Sequence, residues 1–125
     1  MEQTKFINGD IVMYGGNVRI VQEHRGYNNF DLYEPETGFT VCCVPITAIK
    51  DVKLTIEILK KNGWELKTKD VNRVNIYRHN GFRIDESVYT GDLYFVCNDI
   101  DVRLRFVSDL QHIMFAFRQN TEMEV

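Results

Sequence analysis

The sequence predicts an α+β protein: a small SH3-like β-barrel followed by an antiparallel β-meander packed with two helices. Three observations carry this expectation. Residues 93–106 read as a hairpin with one wholly apolar face. Residues 108–117 follow at once with an apolar stripe at helical spacing. The first 50 residues alternate short strand-forming runs with Gly, Pro and Asn punctuation.

A two-residue turn at Asn98-Asp99 pairs Cys97 with Ile100, Phe95 with Val102 and Leu93 with Leu104. All six are apolar and share a face. A one-residue slip would scramble that face, so the pattern sets the register. Ser108 and Gln111 have capping-box spacing, and Leu110, Ile113, Met114 and Phe117 recur at i, i+3, i+4 and i+7. The helix they form is expected to dock on the face of Phe95, Val102 and Leu104.

In the first part, Gly9-Asp10 leads into a strand at 11–14, and Gly15-Gly16 is a turn. Strands are expected at 17–24, 30–34 and 39–44. Pro35-Glu-Thr-Gly38 forms the turn between the last two, with Pro preset for its first corner. Residues 45–49 read as one helical turn before a short strand near Val52. Four or five short strands at this spacing suggest the barrel. The domains are accordingly 1–52 and 53–125.

A helix is expected over 56–61. Thr55 is its N-cap, and Gly63 and Trp64 stand where a Schellman ending needs them. Residues 71–86 form a hairpin broken at His79-Asn80-Gly81. A two-residue Asn-Gly turn would set Arg78 against Arg83. A three-residue loop gathers Val74, Ile76, Phe82 and Ile84 on one face and is preferred for that reason. With the final hairpin this makes a four-stranded meander with both helices on one face.

Composition bounds function more than it reveals it. Hydrophobic residues make up 44% of 125, enough for a core, and the net charge is −3. Bulk charge therefore does not recruit nucleic acid or an anionic membrane. The first 52 residues carry four Lys or Arg against seven Asp or Glu, which argues against phosphate binding there. No apolar run approaches a membrane span, and the opening residues lack the apolar region of a signal peptide, so a cytoplasmic location is expected. Cys42, Cys43 and Cys97 form neither a disulfide framework nor a zinc spacing. The adjacent pair alternates in and out of its strand, exposing one thiol. Cys97 is expected to be buried. His24, His79 and His112 fall in different elements without a ligand partner nearby in sequence. No catalytic residue, metal site or cofactor is expected.

Two surfaces remain as binding candidates. Tyr94, Arg103 and Arg105 share the polar face of the last hairpin, where Tyr94 and Arg103 suit a cation–π pair. Arg19, Arg25 and Tyr27 cluster with Phe30 around one barrel loop, the kind of aromatic loop through which such barrels bind peptides or nucleic acids. The expected function is a non-enzymatic accessory protein that binds a macromolecular partner, a protein first and a nucleic acid as the alternative, with no membrane role.

The segments Gly9-Asp-Ile-Val12, Leu54-Thr-Ile-Glu-Ile-Leu-Lys-Lys-Asn-Gly-Trp64 and Arg105-Phe-Val-Ser-Asp-Leu-Gln-His-Ile-Met-Phe-Ala-Phe117 resemble a family of small uncharacterised proteins from gut bacteria, their prophages and mobile elements. The shared pattern is a Gly-Asp strand opening, a Leu-Thr-x-Glu-x-Leu-x-x-Asn-Gly-aromatic helix and a closing Leu-Gln helix. The resemblance implies architecture and brings no functional residues with it. The acidic, Trp-containing barrel strand of that family is replaced here by residues 39–44 with Cys42-Cys43.

Overall fold

The computed structural model describes residues 6–125. The chain divides into two units: Met1–Val52 with Gln111–Glu122, and Lys53–Leu110 with Met123–Val125. Residues 111–122 group with the first unit and 123–125 with the second.

The first unit is a five-stranded antiparallel sheet: β1 (Ile11–Tyr14), β2 (Asn17–His24), β3 (Asn29–Tyr33), β4 (Thr40–Pro45) and β5 (Lys50–Asp51), with a 3₁₀ turn at Ile46–Ala48. Strand order is β4-β3-β2-β1-β5. Gly15 and Gly16 have φ of 60° and 81°, so both take the left-handed region that a two-residue hairpin turn demands, and Tyr14 sits opposite Asn17. The short β5 returns to β1 through Val12↔Asp51 and Met13↔Lys50. The sheet is open, with β4 and β5 at its edges, so closure into a barrel is not established. Its core gathers Phe6, Val12, Val21, Phe30, Leu32, Val44 and Ile49.

In the second unit, α1 spans Ile56–Lys61. Thr55 accepts a hydrogen bond from the Ile58 amide at 3.2 Å. At the other end the Trp64 amide donates to the Leu59 carbonyl and the Gly63 amide to the Lys60 carbonyl, the two bonds of a Schellman ending. Gly63 has φ of 90°, and a Cβ there would meet the His79 ring at 2.8 Å, so two constraints demand glycine.

Five strands follow, not four: β6 (Glu65–Val71), β7 (Val74–His79), β8 (Phe82–Ser87), β9 (Leu93–Cys97) and β10 (Ile100–Leu104), in the order β10-β9-β8-β7-β6. β6 has no hydrophobic alternation to announce it. It is charged, mostly exposed, and shifts register twice against β7.

The β7–β8 hairpin turns on two residues, Asn80 (φ 49°) and Gly81 (φ 83°). Arg78 therefore does face Arg83, and Ile76 faces Asp85. The expected three-residue loop loses because Asn-Gly satisfies the two-residue turn outright. Tyr77 supplies the apolar contact that Ile76 was expected to supply. Tyr77 and Ile84, opposite one another, are 4% and 0% exposed. The cost of opposed arginines is eased by Asp85, which takes Arg83 Nε at 2.6 Å and Nη2 at 2.9 Å.

The β9–β10 register matches expectation at all five pairs, Cys97↔Ile100 through Leu93↔Leu104. Burial along it is uneven. Leu93, Phe95 and Leu104 are buried, while Ile100 and Val102 remain exposed and Cys97 is partly exposed.

Helix α2 covers Val107–Ala116. Its start differs from the expected capping box. Asp109, three positions in, reaches back with Oδ2 to the amides of Phe106 (2.9 Å) and Arg105 (2.8 Å). Ser108 is buried within the first turn. Leu110 and Met114 are buried, but Phe117 is 42% exposed, so the expected apolar stripe does not extend to Phe117. The first turn of α2 belongs to the second unit and its remainder to the first.

Candidate functional site

The six sequence-selected residues fall into different environments. On the second unit, Tyr94 lies opposite Arg103 and Asp85. Arg103 turns to Asp92 at 3.1 Å. The cation–π contacts among the described residues are elsewhere, Arg19 over Tyr14 and Arg73 over Tyr89. Arg105 is exposed, with its amide held by Asp109 and its carbonyl by the Leu54 amide.

These contacts bring Lys53, missed in the sequence, beside the hairpin. Lys53, Leu54, Thr90–Leu93 and Arg103–Arg105 line a cleft of about 210 Å³. That is smaller than the several hundred Å³ of a drug-sized ligand site, and it has room for one or two side chains. Three cations, Lys53, Arg103 and Arg105, line it with one carboxylate, Asp92. Asp92 is committed to Arg103, and Lys53 and Arg105 have no ion pair among the described residues. The signal in the sequence was half visible: alternation placed Arg103 and Arg105 on one face, but no local pattern says that Lys53 returns to pair with Phe106.

On the first unit the expected loop cluster comes apart. Phe30 is fully buried in the core. Arg19 is 8% exposed, stacked over Tyr14 with Glu34 at 3.4 Å, and its Nε has no partner among the described residues. Arg25 is held by Asp31 at 2.7 Å and Glu23 at 3.4 Å. Tyr27 is 90% exposed with φ of 35°, and its carbonyl is bonded by the His24 ring.

Asp31 organises that end of the sheet. Besides Arg25 it accepts from the Cys43 amide at 3.0 Å. The Arg25 guanidinium, and then the Cys43 amide, hold its carboxyl below the usual carboxylate range. Cys43 has φ of 58°, and the ladder shifts register between Phe30 and Leu32. This bulge breaks the in-and-out alternation, so Cys42 and Cys43 are both exposed, against the expectation of one.

A second polar centre was missed. Asp10 is 1% exposed, and His112 Nε2 lies 2.7 Å from its Oδ2. The Ile7 amide donates to the same oxygen at 2.9 Å. Burial raises the Asp10 carboxyl above its usual range, and the Ile7 and His112 hydrogen bonds oppose that rise. Beside it, buried Gln111 accepts from the Ile11 amide at 2.8 Å and donates to the carbonyls of Gly9 (2.8 Å) and Thr121 (2.9 Å). Both side-chain polar atoms of Gln111 are used, and the bond from the Ile11 amide is buried, where a lost partner is costly. The adjoining cavity of about 10 Å³ is at most the size of one water. Asp10, Gln111 and His112 therefore read as a bracket for β1 with no room for a substrate. Asp10 lies about a hundred residues from Gln111 and His112, beyond any motif.

Among the described residues, no three His, Cys, Asp or Glu side chains are grouped to hold a metal, and no helix is long and apolar enough to cross a membrane. Compared with known proteins, the chain matches no family model, no curated protein and no solved structure.

Proposed function

We propose that this is a non-enzymatic interaction protein that receives an acidic segment of a protein partner in the cleft of Lys53, Arg103 and Arg105. The observation that carries the reading is the excess of cations there, three against one committed carboxylate, in a space sized for side chains. Exposed ion pairs contribute little to affinity but steer encounter and orientation, which suits a docking role. The odd cysteine count, with neither a disulfide framework nor a zinc spacing in the sequence, supports a reducing, cytoplasmic setting.

A nucleic-acid-associated role is the second reading. It rests on Tyr27, exposed enough to stack on a base, and on an SH3-like reading of the first unit, supported by the return of β5 to β1. It is the weaker reading because Arg25 is spent on two carboxylates and the chain is net acidic.

The test is fluorescence anisotropy with labelled poly-glutamate and, in parallel, a single-stranded oligonucleotide. Poly-glutamate binding that the Lys53→Glu/Arg105→Glu double variant weakens by about tenfold or more supports the cleft. Absence of binding to the parent protein overturns it. Preferential oligonucleotide binding, lost in Tyr27→Ala, would instead favour the second reading.

A further inference from the structure

The four sheet edges are not equally protected. β4 carries the Cys43 bulge and ends in Pro45, and β5 is two residues long. β6 shifts register twice and holds Asp70 at φ 54°. Bulges, shortness, proline and charged side chains are among the devices that stop an edge from pairing with another chain. β10 has no bulge and no proline, and its two charges, Asp101 and Arg103, are of opposite sign. It keeps a regular register over five residues, with Ile100 at 66% and Val102 at 44% exposure.

The backbone of β10 has a defined open segment. In a two-residue hairpin the pair flanking the turn exchanges both hydrogen bonds. Ile100, Val102 and Leu104 thus direct their backbone groups to β9, and Asp101 and Arg103 direct theirs outward. Arg105 has the same parity, and its carbonyl does point away, to the Leu54 amide at 3.0 Å. That contact closes the edge beyond Leu104. The amides and carbonyls of Asp101 and Arg103 remain for a new strand.

The sequence Ile100-Asp-Val-Arg-Leu104 is complementary to itself in the antiparallel sense. Set Val102 opposite Val102 of a second copy. Asp101 then faces Arg103 and Arg103 faces Asp101 on one face, while Ile100 faces Leu104 on the other. The hydrogen-bonded pairs fall on Asp101 and Arg103, the residues whose backbone is open. A shift of one residue sets charges against apolar side chains. A shift of two sets Asp101 against Asp101 or Arg103 against Arg103, which is destabilising. One register satisfies backbone, charge and apolar face together. We propose that β10 is a homodimerisation edge at which two copies pair antiparallel about a two-fold axis through Val102. The proposal shares Arg103 with the cleft but leaves Lys53 and Arg105 untouched, so cross-linking at position 102 and the Asp101→Arg variant test it apart from the cleft.

Position 102 gives a sharp test. Residues opposed in a non-hydrogen-bonded pair have Cα atoms about 4.5 Å apart, within the range of about 4.4–6.8 Å that a disulfide spans. In a parent with Cys42, Cys43 and Cys97 replaced by serine, Val102→Cys should form a covalent dimer under mild oxidation. Asp101→Cys, equally exposed but offset from its symmetry mate, should not. Sedimentation of the unmodified protein should show the average mass rising above the monomer's 14.7 kDa as concentration approaches about 0.5 mM, as expected for a small interface. Asp101→Arg places like charges opposite each other and should abolish that rise, and Asp101→Arg/Arg103→Asp should restore it. A monomeric protein throughout this range, equal cross-linking at 101 and 102, or failure of the charge swap to restore association would each overturn the proposal.

Discussion

Both units are five-stranded antiparallel sheets, but they exclude water from different things. Of the five polar residues buried among those described, Asp10, Arg19, Asp31 and Gln111 lie in the first unit and only Ser108 in the second. The second unit is specified by an apolar pattern: Leu59, Trp64, Tyr77, Ile84, Phe95 and Leu104 fill its interior. The first unit adds polar brackets to a smaller apolar core. Apolar burial is non-directional and tolerates exchange. A buried polar group is costly unless its partner stands in one place. The contrast implies different vulnerabilities.

The largest effect is expected in the second unit's core. Phe95 is 2% exposed, and Phe95→Ala should cost roughly 3–5 kcal/mol in urea denaturation. Phe117→Ala, at an exposed position, should cost about 1 kcal/mol or less. Similar losses from the two would erase the distinction between patterned core and helix rim.

Next comes the bracket. Gln111→Ala strands the buried Ile11 amide and releases the Gly9 and Thr121 carbonyls and should cost roughly 1–3 kcal/mol. Gln111→Met keeps much of the volume but cannot bond, and should cost nearly as much. Full recovery by methionine would show that packing, and not polar satisfaction, holds β1.

The subtlest effect is in pH dependence, where two buried aspartates act in opposite senses. Asp10 has a raised carboxyl pKa, so its stabilising contribution is present below the ordinary range and is lost as pH rises through its folded value. Asp31 has a lowered pKa, so its contribution is present above the ordinary range and is lost as pH falls through its folded value. Urea midpoints measured across the acid range should show Asp31→Asn removing acid sensitivity. Asp10→Asn should remove a loss that otherwise appears as pH rises. Parallel changes in the two variants would contradict their assigned environments.

The same contrast explains what could be read in advance. The β9–β10 register, the α1 cap and the Schellman ending are local, and each leaves a periodicity or a turn residue in the sequence. β6 left none because an exposed, twice-bulged edge needs no alternation. The β7–β8 turn was misjudged because apolar tally was weighed above the left-handed preference of Asn-Gly. In the candidate cleft, Arg103 and Arg105 were legible from strand alternation, and Lys53 was not, since its place depends on a bridge to Phe106. Gln111 was visible only as a capping residue, since its partners Gly9 and Ile11 lie a hundred positions away.

That separation has a consequence for how the chain comes to be built. A ribosome releases β1 to β5 long before Gln111 exists. Until Gln111 has emerged, the Ile11 amide and the Gly9 carbonyl have no bracket, while the hairpins of the second unit can already close through neighbouring strands. Contacts distant in sequence are late and slow to form. The bracket of the unit synthesised first is therefore completed late, and a chain halted near residue 110 would carry a sheet whose opening strand is still held only by its neighbours.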